Sequence, residues 1–134
     1  MVITLNVGPE VLAGSTRLKA GTATKLALNT LTTAAFTRLG KVHGNRMVDL
    51  QPKSAKLRAR AERLVAELGQ VGTPRARRLL DDAGGSAKVA IVMARHRESA
   101  GAARRRLVAA HGFLSRALEG QAPSKRHPAR RATV

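Results

Sequence analysis

A chain of 134 residues has the length of one domain, enough to bury about two-thirds of the surface its unfolded form would expose. It contains no cysteine, which excludes disulfides, thiol catalysis and zinc–thiolate clusters, and its formal net charge of +17 draws it nonspecifically to polyanions. The only aromatic residues are Phe36 and Phe113, so stacking platforms for single-stranded nucleic acid are lacking.

Val2, Ile3, Leu5 and Val7 predict a strand over Val2–Val7 that Gly8-Pro9 terminates. A helix follows from Thr22 to about Leu39, where Leu28, Leu31, Ala35 and Leu39 recur at helical spacing. Leu26, Ala27, Ala34 and Phe36 widen its apolar face and suggest burial on more than one side. Gly40 stops that helix, and Met47–Leu50 reads as a second short strand or an extended connector before Pro52.

Ser54 is the expected N-cap of a helix lined by Leu57, Ala61, Leu64, Val65 and Leu68 and closed by Gly69. Thr73-Pro74 opens a short helix that Gly84-Gly85 ends, and Ser86 caps another around Val89–Met93. A last helix from about Ser99 to Leu118 carries Leu107, His111, Leu114 and Leu118 on one stripe, which makes His111 a core histidine. Residues 73–119 thus read as a small bundle of three helices appended to residues 1–72. The tail, residues 120–134, with Pro123, Pro128 and several basic residues, is expected to be disordered.

Chemistry concentrates in residues 8–22. Gly14 and Gly21 free the backbone to turn N–H groups toward an anion, Ser15 and Thr16 supply hydroxyls, and Arg17 and Lys19 supply charge ahead of a helix N-terminus. The same composition also describes an ordinary turn with Thr22 as N-cap. His43, His96, His111 and His127 have no ligand spacing, so no metal or other cofactor is expected. No apolar stretch approaches the ~20 residues of a membrane span, and no signal-peptide core follows Met1, so a cytoplasmic protein without a membrane partner is expected.

The wording of three segments resembles one family. Gly8-Pro9-Glu10 with Gly14-Ser15-Thr16-Arg17-Leu18-Lys19-Ala20-Gly21-Thr22 is similar to the N-acetylmuramic acid 6-phosphate etherases and their relatives, the glucokinase regulatory proteins. The likeness continues through Gly40-Lys41-Val42-His43-Gly44-Asn45-Arg46-Met47-Val48-Asp49-Leu50 and through Ala83-Gly84-Gly85-Ser86-Ala87-Lys88. It covers roughly residues 3–119 in the same order.

The resemblance implies an α/β parent fold, a sugar isomerase (SIS) domain whose parallel sheet has helices on both faces. This chain would be its mostly helical C-terminal part, with one or two short strands and the three-helix appendage. A lone strand cannot satisfy its own backbone, which independently suggests that other strands lie elsewhere.

The implied activity converts N-acetylmuramic acid 6-phosphate to N-acetylglucosamine 6-phosphate and D-lactate. It requires acid/base groups to remove the proton beside the open-chain aldehyde, expel lactate and add water. In the family the glutamates assigned to that work lie in the first half of the domain, so no catalytic residue is expected here and the chain alone should be inactive.

The resemblance makes Glu10, Ser15, Thr16, Arg17 and Lys19 the candidate contacts to a phosphorylated amino sugar. Glu10 would touch sugar hydroxyls or orient the loop, or else simply pair with Arg17 or Lys19. Asn45 and Asp49 fall near the site or the dimer contact, with loop hydrogen bonding as the plainer alternative. Lys88 lies in a segment that forms a lid in the regulatory relatives, and an exposed helix position is its plainer reading. A homodimer is implied for the complete protein. Two other functions stay open: a noncatalytic phosphosugar-binding regulatory module, and a basic helical protein that binds nucleic acid.

Overall fold

The structure, a computed structural model, describes residues 2–119. The expected disordered tail lies outside those residues. The chain divides between Arg38 and Leu39 into two compact units.

In the first unit an irregular segment leads into α1, Lys19–Arg38. The strand expected over Val2–Val7 does not form. The sole sheet among the described residues is a two-stranded one built further along, so no neighbouring strand receives the N–H and C=O groups of Val2–Val7. Helix α1 begins three residues ahead of the expected Thr22, because an acceptor from the preceding loop satisfies its first amides. Its broad apolar face is not buried either: Leu26, Leu28, Leu31 and Phe36 all stay exposed, and no α1 residue is buried. Thr30 and Thr37 turn their hydroxyls back onto the Leu26 and Thr33 carbonyls at 2.8 and 2.9 Å.

The second unit opens with a hairpin of β1, Val42–His43, and β2, Arg46–Met47, paired antiparallel in the register Val42 to Met47 and His43 to Arg46. Gly44 takes a φ of 57° at the first position of the two-residue loop, where a primed turn wants glycine. The extended stretch expected at Met47–Leu50 is therefore the outgoing arm of a tight hairpin rather than a member of a larger sheet.

Five helices follow: α2, Ala55–Gly69; α3, Thr73–Asp82; α4, Ala87–His96; α5, Ala100–Ala109; and α6, Leu114–Leu118. Helix α4 is the hub, apolar on nearly every side, with Ala87 and Val89 through Ala94 buried. Helices α2, α3, α5 and α6 all pack against it. The core joins Val48, Val65, Leu80, Ile91, Val92 and Leu114, so residues 39–72 share one core with the later helices and the expected boundary at residue 72 is not where the packing divides.

Two serine caps, Ser54 and Ser86, fall where the sequence places them, and Ser99, the expected start of the last helix, is a third. Ser54, Ser86 and Ser99 accept from Leu57, Val89 and Ala102 N–H. At α3 the cap is Gly72 rather than Thr73, with proline in the first turn. Gly69 does not act as the left-handed terminator of α2. That position is Gln70, at φ 55°, and Gly69 instead lets α4 approach, since a Cβ there would stand 2.8 Å from the Ala94 Cβ.

The expected single helix over Ser99–Leu118 is two. It breaks at His111 and Gly112, both at positive φ, where Gly112 N–H returns to Leu107 O at 2.8 Å and closes α5. His111 consequently sits exposed in the turn and is not a core histidine.

Candidate functional site

Residues 8–22, expected from the sequence to receive an anion, lie wholly within the first unit and are organised around Glu10. Its carboxylate accepts the Lys19 N–H through Oε2 and the Ala20 N–H through Oε1, both at 3.0 Å. A carboxylate at the positive end of a helix is favoured by the orphan amides and by the macrodipole together. Glu10 therefore caps α1 from a distance of nine residues and folds the intervening loop into a closed arch. It does not pair with the Arg17 or Lys19 side chains.

Lys19 reinforces the arch, its Nζ donating to Pro9 O at 2.9 Å. Ser15 turns the chain locally, its N–H reaching Leu12 O at 3.1 Å and its Oγ accepting from Arg17 N–H at 3.3 Å. Gly14 takes a φ of 82° at the crest. Gly21 is needed for closeness rather than for dihedral freedom, because a Cβ there would lie 3.1 Å from Thr16 O.

Two groups are left uncommitted: the Thr16 hydroxyl and the Arg17 guanidinium, both exposed and neither engaged by another side chain among the described residues. The arch thus spends Glu10, Lys19 and part of Ser15 on its own shape, and presents Thr16 and Arg17 outward. A hydroxyl beside a guanidinium can hold a phosphate dianion by charge-assisted hydrogen bonds.

The remaining candidates lie in the second unit. Asn45 is exposed at the hairpin tip. Asp49 and Lys88 are brought together: the Lys88 Nζ stands 3.3 Å from Asp49 Oδ1 and also donates to Gly40 O at 3.4 Å and Gly112 O at 3.3 Å. Lys88 is accordingly no exposed helix residue; only 14% of its side chain is exposed, and it ties the base of the hairpin to α4 and to the α5–α6 turn. Lys41 approaches Asp49 from the other side at 3.8 Å. A cleft of about 400 Å³ opens beside Asp49 and is bounded by Lys53, Gly84, Gly85 and Ser86.

Across α2 and α3 a second charged cluster joins Arg58, Glu62, Arg77 and Asp81, with Glu62 buried between two arginines at 3.3 and 3.4 Å. Its hydrogen bond to Asp81, and the attraction of the same carboxylate, hold the Arg58 guanidinium charged above its usual range. Arg106 is raised likewise by its hydrogen bond to Glu98. The first clamps α2 to α3; the second ties α5 to the turn that precedes it. Among the described residues no three acidic or histidine side chains converge as a metal site would require.

No family model matches the chain. Curated proteins do. The N-acetylmuramic acid 6-phosphate etherase of Synechococcus sp. (strain CC9605) is 56% identical over 92 residues, 69% of this chain and 29% of that protein. The proteins of the same name from Geobacillus thermodenitrificans and Deinococcus radiodurans are each 47% identical, over 117 and 121 residues, or 87% and 90% of this chain. The chain belongs to the N-acetylmuramic acid 6-phosphate etherase family. It spans 40% of the length of the Geobacillus and Deinococcus relatives.

Two features of this family member were hidden in its sequence. The reach of Glu10 across nine residues to the α1 amides has no short-range signature. The Lys88 contacts depend on the turn at Gly112, which a continuous-helix reading of residues 99–118 removes. The local signal for that turn is the His111-Gly112 pair, a helix stop.

Proposed function

We propose that this chain is the C-terminal portion of an N-acetylmuramic acid 6-phosphate etherase. The assembled enzyme cleaves the lactyl ether and releases N-acetylglucosamine 6-phosphate and D-lactate in amino-sugar and cell-wall recycling. The observation that carries the reading is 47% identity over 121 residues to a protein of that name.

In this reading Thr16 and Arg17 bind the sugar phosphate, and Ser15 shapes the turn that aims them. Glu10 and Lys19 hold the arch rather than move protons: both carboxylate oxygens of Glu10 already accept backbone N–H groups. The proton beside the open-chain aldehyde, the departing lactate and the incoming water are then handled by carboxylates of the part of the enzyme that this chain does not represent. The chain alone is inactive.

The parent fold is a SIS-type parallel sheet flanked by helices, assembled as a cytoplasmic homodimer. The exposure of Leu26, Leu28, Leu31 and Phe36 supports this, because a helix so broadly apolar belongs inside a larger layered body. Among the described residues no helix is long and apolar enough to cross a membrane.

The test is D-lactate release from N-acetylmuramic acid 6-phosphate by this chain, and by this chain mixed with the separately expressed N-terminal part of the Geobacillus relative. Release by the mixture alone is expected. No release from a mixture in which the two parts co-purify would contradict the reading.

A further inference from the structure

Helix α2 sorts its cations by side. On the flank facing α3, Arg58 is bound to Glu62 and Asp81, and Arg77 of α3 is bound to Glu62. On the outer flank, Lys56, Arg60 and Arg63 follow one another at helical spacings of four and three, all exposed, and none has an ion-pair or hydrogen-bond partner among the described residues. The nearest acid on that flank, Glu67, is taken by Arg46 at 2.5 Å. Each acid of α2 is thus committed elsewhere, and the row keeps its full charge.

We propose that this row is a contact surface for the phosphodiester backbone of duplex nucleic acid, bound without regard to sequence. From Lys56 to Arg63 the row extends about 10 Å along the helix axis, a length over which a duplex presents about six phosphate charges. The net charge of +17 adds long-range attraction.

Single strands are a poorer fit, because the chain has no Trp or Tyr on which bases could stack. A lipid surface is also a poorer fit. The apolar side of α2, Ala61, Leu64 and Val65, is buried in the core, so the helix has nothing to insert between headgroups. The surface uses no residue of the segment 8–22 and stands apart from the etherase reading.

The test measures binding of a short mixed-sequence DNA duplex to the full chain by fluorescence anisotropy across a salt series. Substituting Lys56, Arg60 and Arg63 together by Gln is expected to reduce the slope of log K against log salt by about 2.7, three phosphate contacts at 0.9 each. The charge-keeping variant K56R/R60K/R63K retains the wild-type slope. Substituting Arg75 and Arg78 of α3 and Arg105 of α5, all exposed, by Gln removes the same charge elsewhere and is expected to change the slope by less than about 0.9.

Circular dichroism establishes that each variant is folded. If the triple variant is not, the single Gln substitutions each lower the slope by about 0.9. Equal loss from both triple sets, an unchanged slope in the row variant, or capture of phosphatidylserine vesicles without capture of duplex would overturn the proposal.

Discussion

Lys88 and Asp49 meet at 3.3 Å across the joint between the hairpin and α4, and the same ammonium reaches the carbonyls of Gly40 and Gly112. Acceptors from two segments far apart in sequence, the base of the hairpin and the α5–α6 turn, therefore converge on one donor. Gly40 and Gly112 must also be close, since a Cβ on Gly40 would lie 3.0 Å from Gly112 O. Lys88→Met removes the donor from two carbonyls and is expected to destabilise the second unit by about 1–2 kcal/mol. Asp49→Asn should cost less than about 1 kcal/mol, because Asp49 is 40% exposed and the ion pair is screened. Denaturant unfolding of both variants checks the order; a larger loss from Asp49→Asn would show that the carbonyl contacts are not what Lys88 contributes.

At Gly69 two effects compete. Replacing a helical glycine by alanine ordinarily gains up to about 1 kcal/mol. Here the new methyl would stand 2.8 Å from the Ala94 Cβ, and separating α2 from α4 is expected to cost about 1–3 kcal/mol. Gly69→Ala should therefore lower the melting temperature, and adding Ala94→Gly should restore part of the loss.

Gln70 ends α2 in the left-handed conformation at φ 55°, which a β-carbon disfavours. Gln70→Gly is expected to raise stability by about 0.5–1 kcal/mol, the relief of the strained conformation less the added freedom of glycine in the unfolded chain. Thermal melting reads the sign directly.

Loss of the Glu10 carboxylate frees two amides at the start of α1. Glu10→Ala is expected to speed hydrogen exchange at Lys19 and Ala20 by roughly five- to tenfold, in line with the loss of a helix cap, while amides of α4 are unaffected. Unchanged exchange at Lys19 and Ala20 would mean that the cap does not hold in solution.

What was legible in the sequence was local. Ser54 and Ser86 could be read as caps because each bonds to an amide three residues on. The apolar face of α2 was legible for the same reason, a spacing contained within one element. Val2–Val7 forms no strand because an apolar run does not itself supply a partner strand. The core placement of His111 failed because helical periodicity carries across residues 110–113 although the backbone does not. At the candidate site, the hydroxyls and cations of residues 15–19 were visible as a composition. Which of them the arch consumes, Glu10 and Lys19, and which it leaves outward, Thr16 and Arg17, depends on a contact spanning nine residues that no periodicity encodes.

The most direct test of family function replaces the matching segment of the Geobacillus thermodenitrificans relative by residues 2–119 of this chain and measures D-lactate release from N-acetylmuramic acid 6-phosphate. The account predicts an active chimera whose Thr16→Ala/Arg17→Gln variant binds the phosphosugar more weakly. A folded chimera that binds the substrate analogue normally with both residues replaced, or that releases no lactate at all, would contradict it.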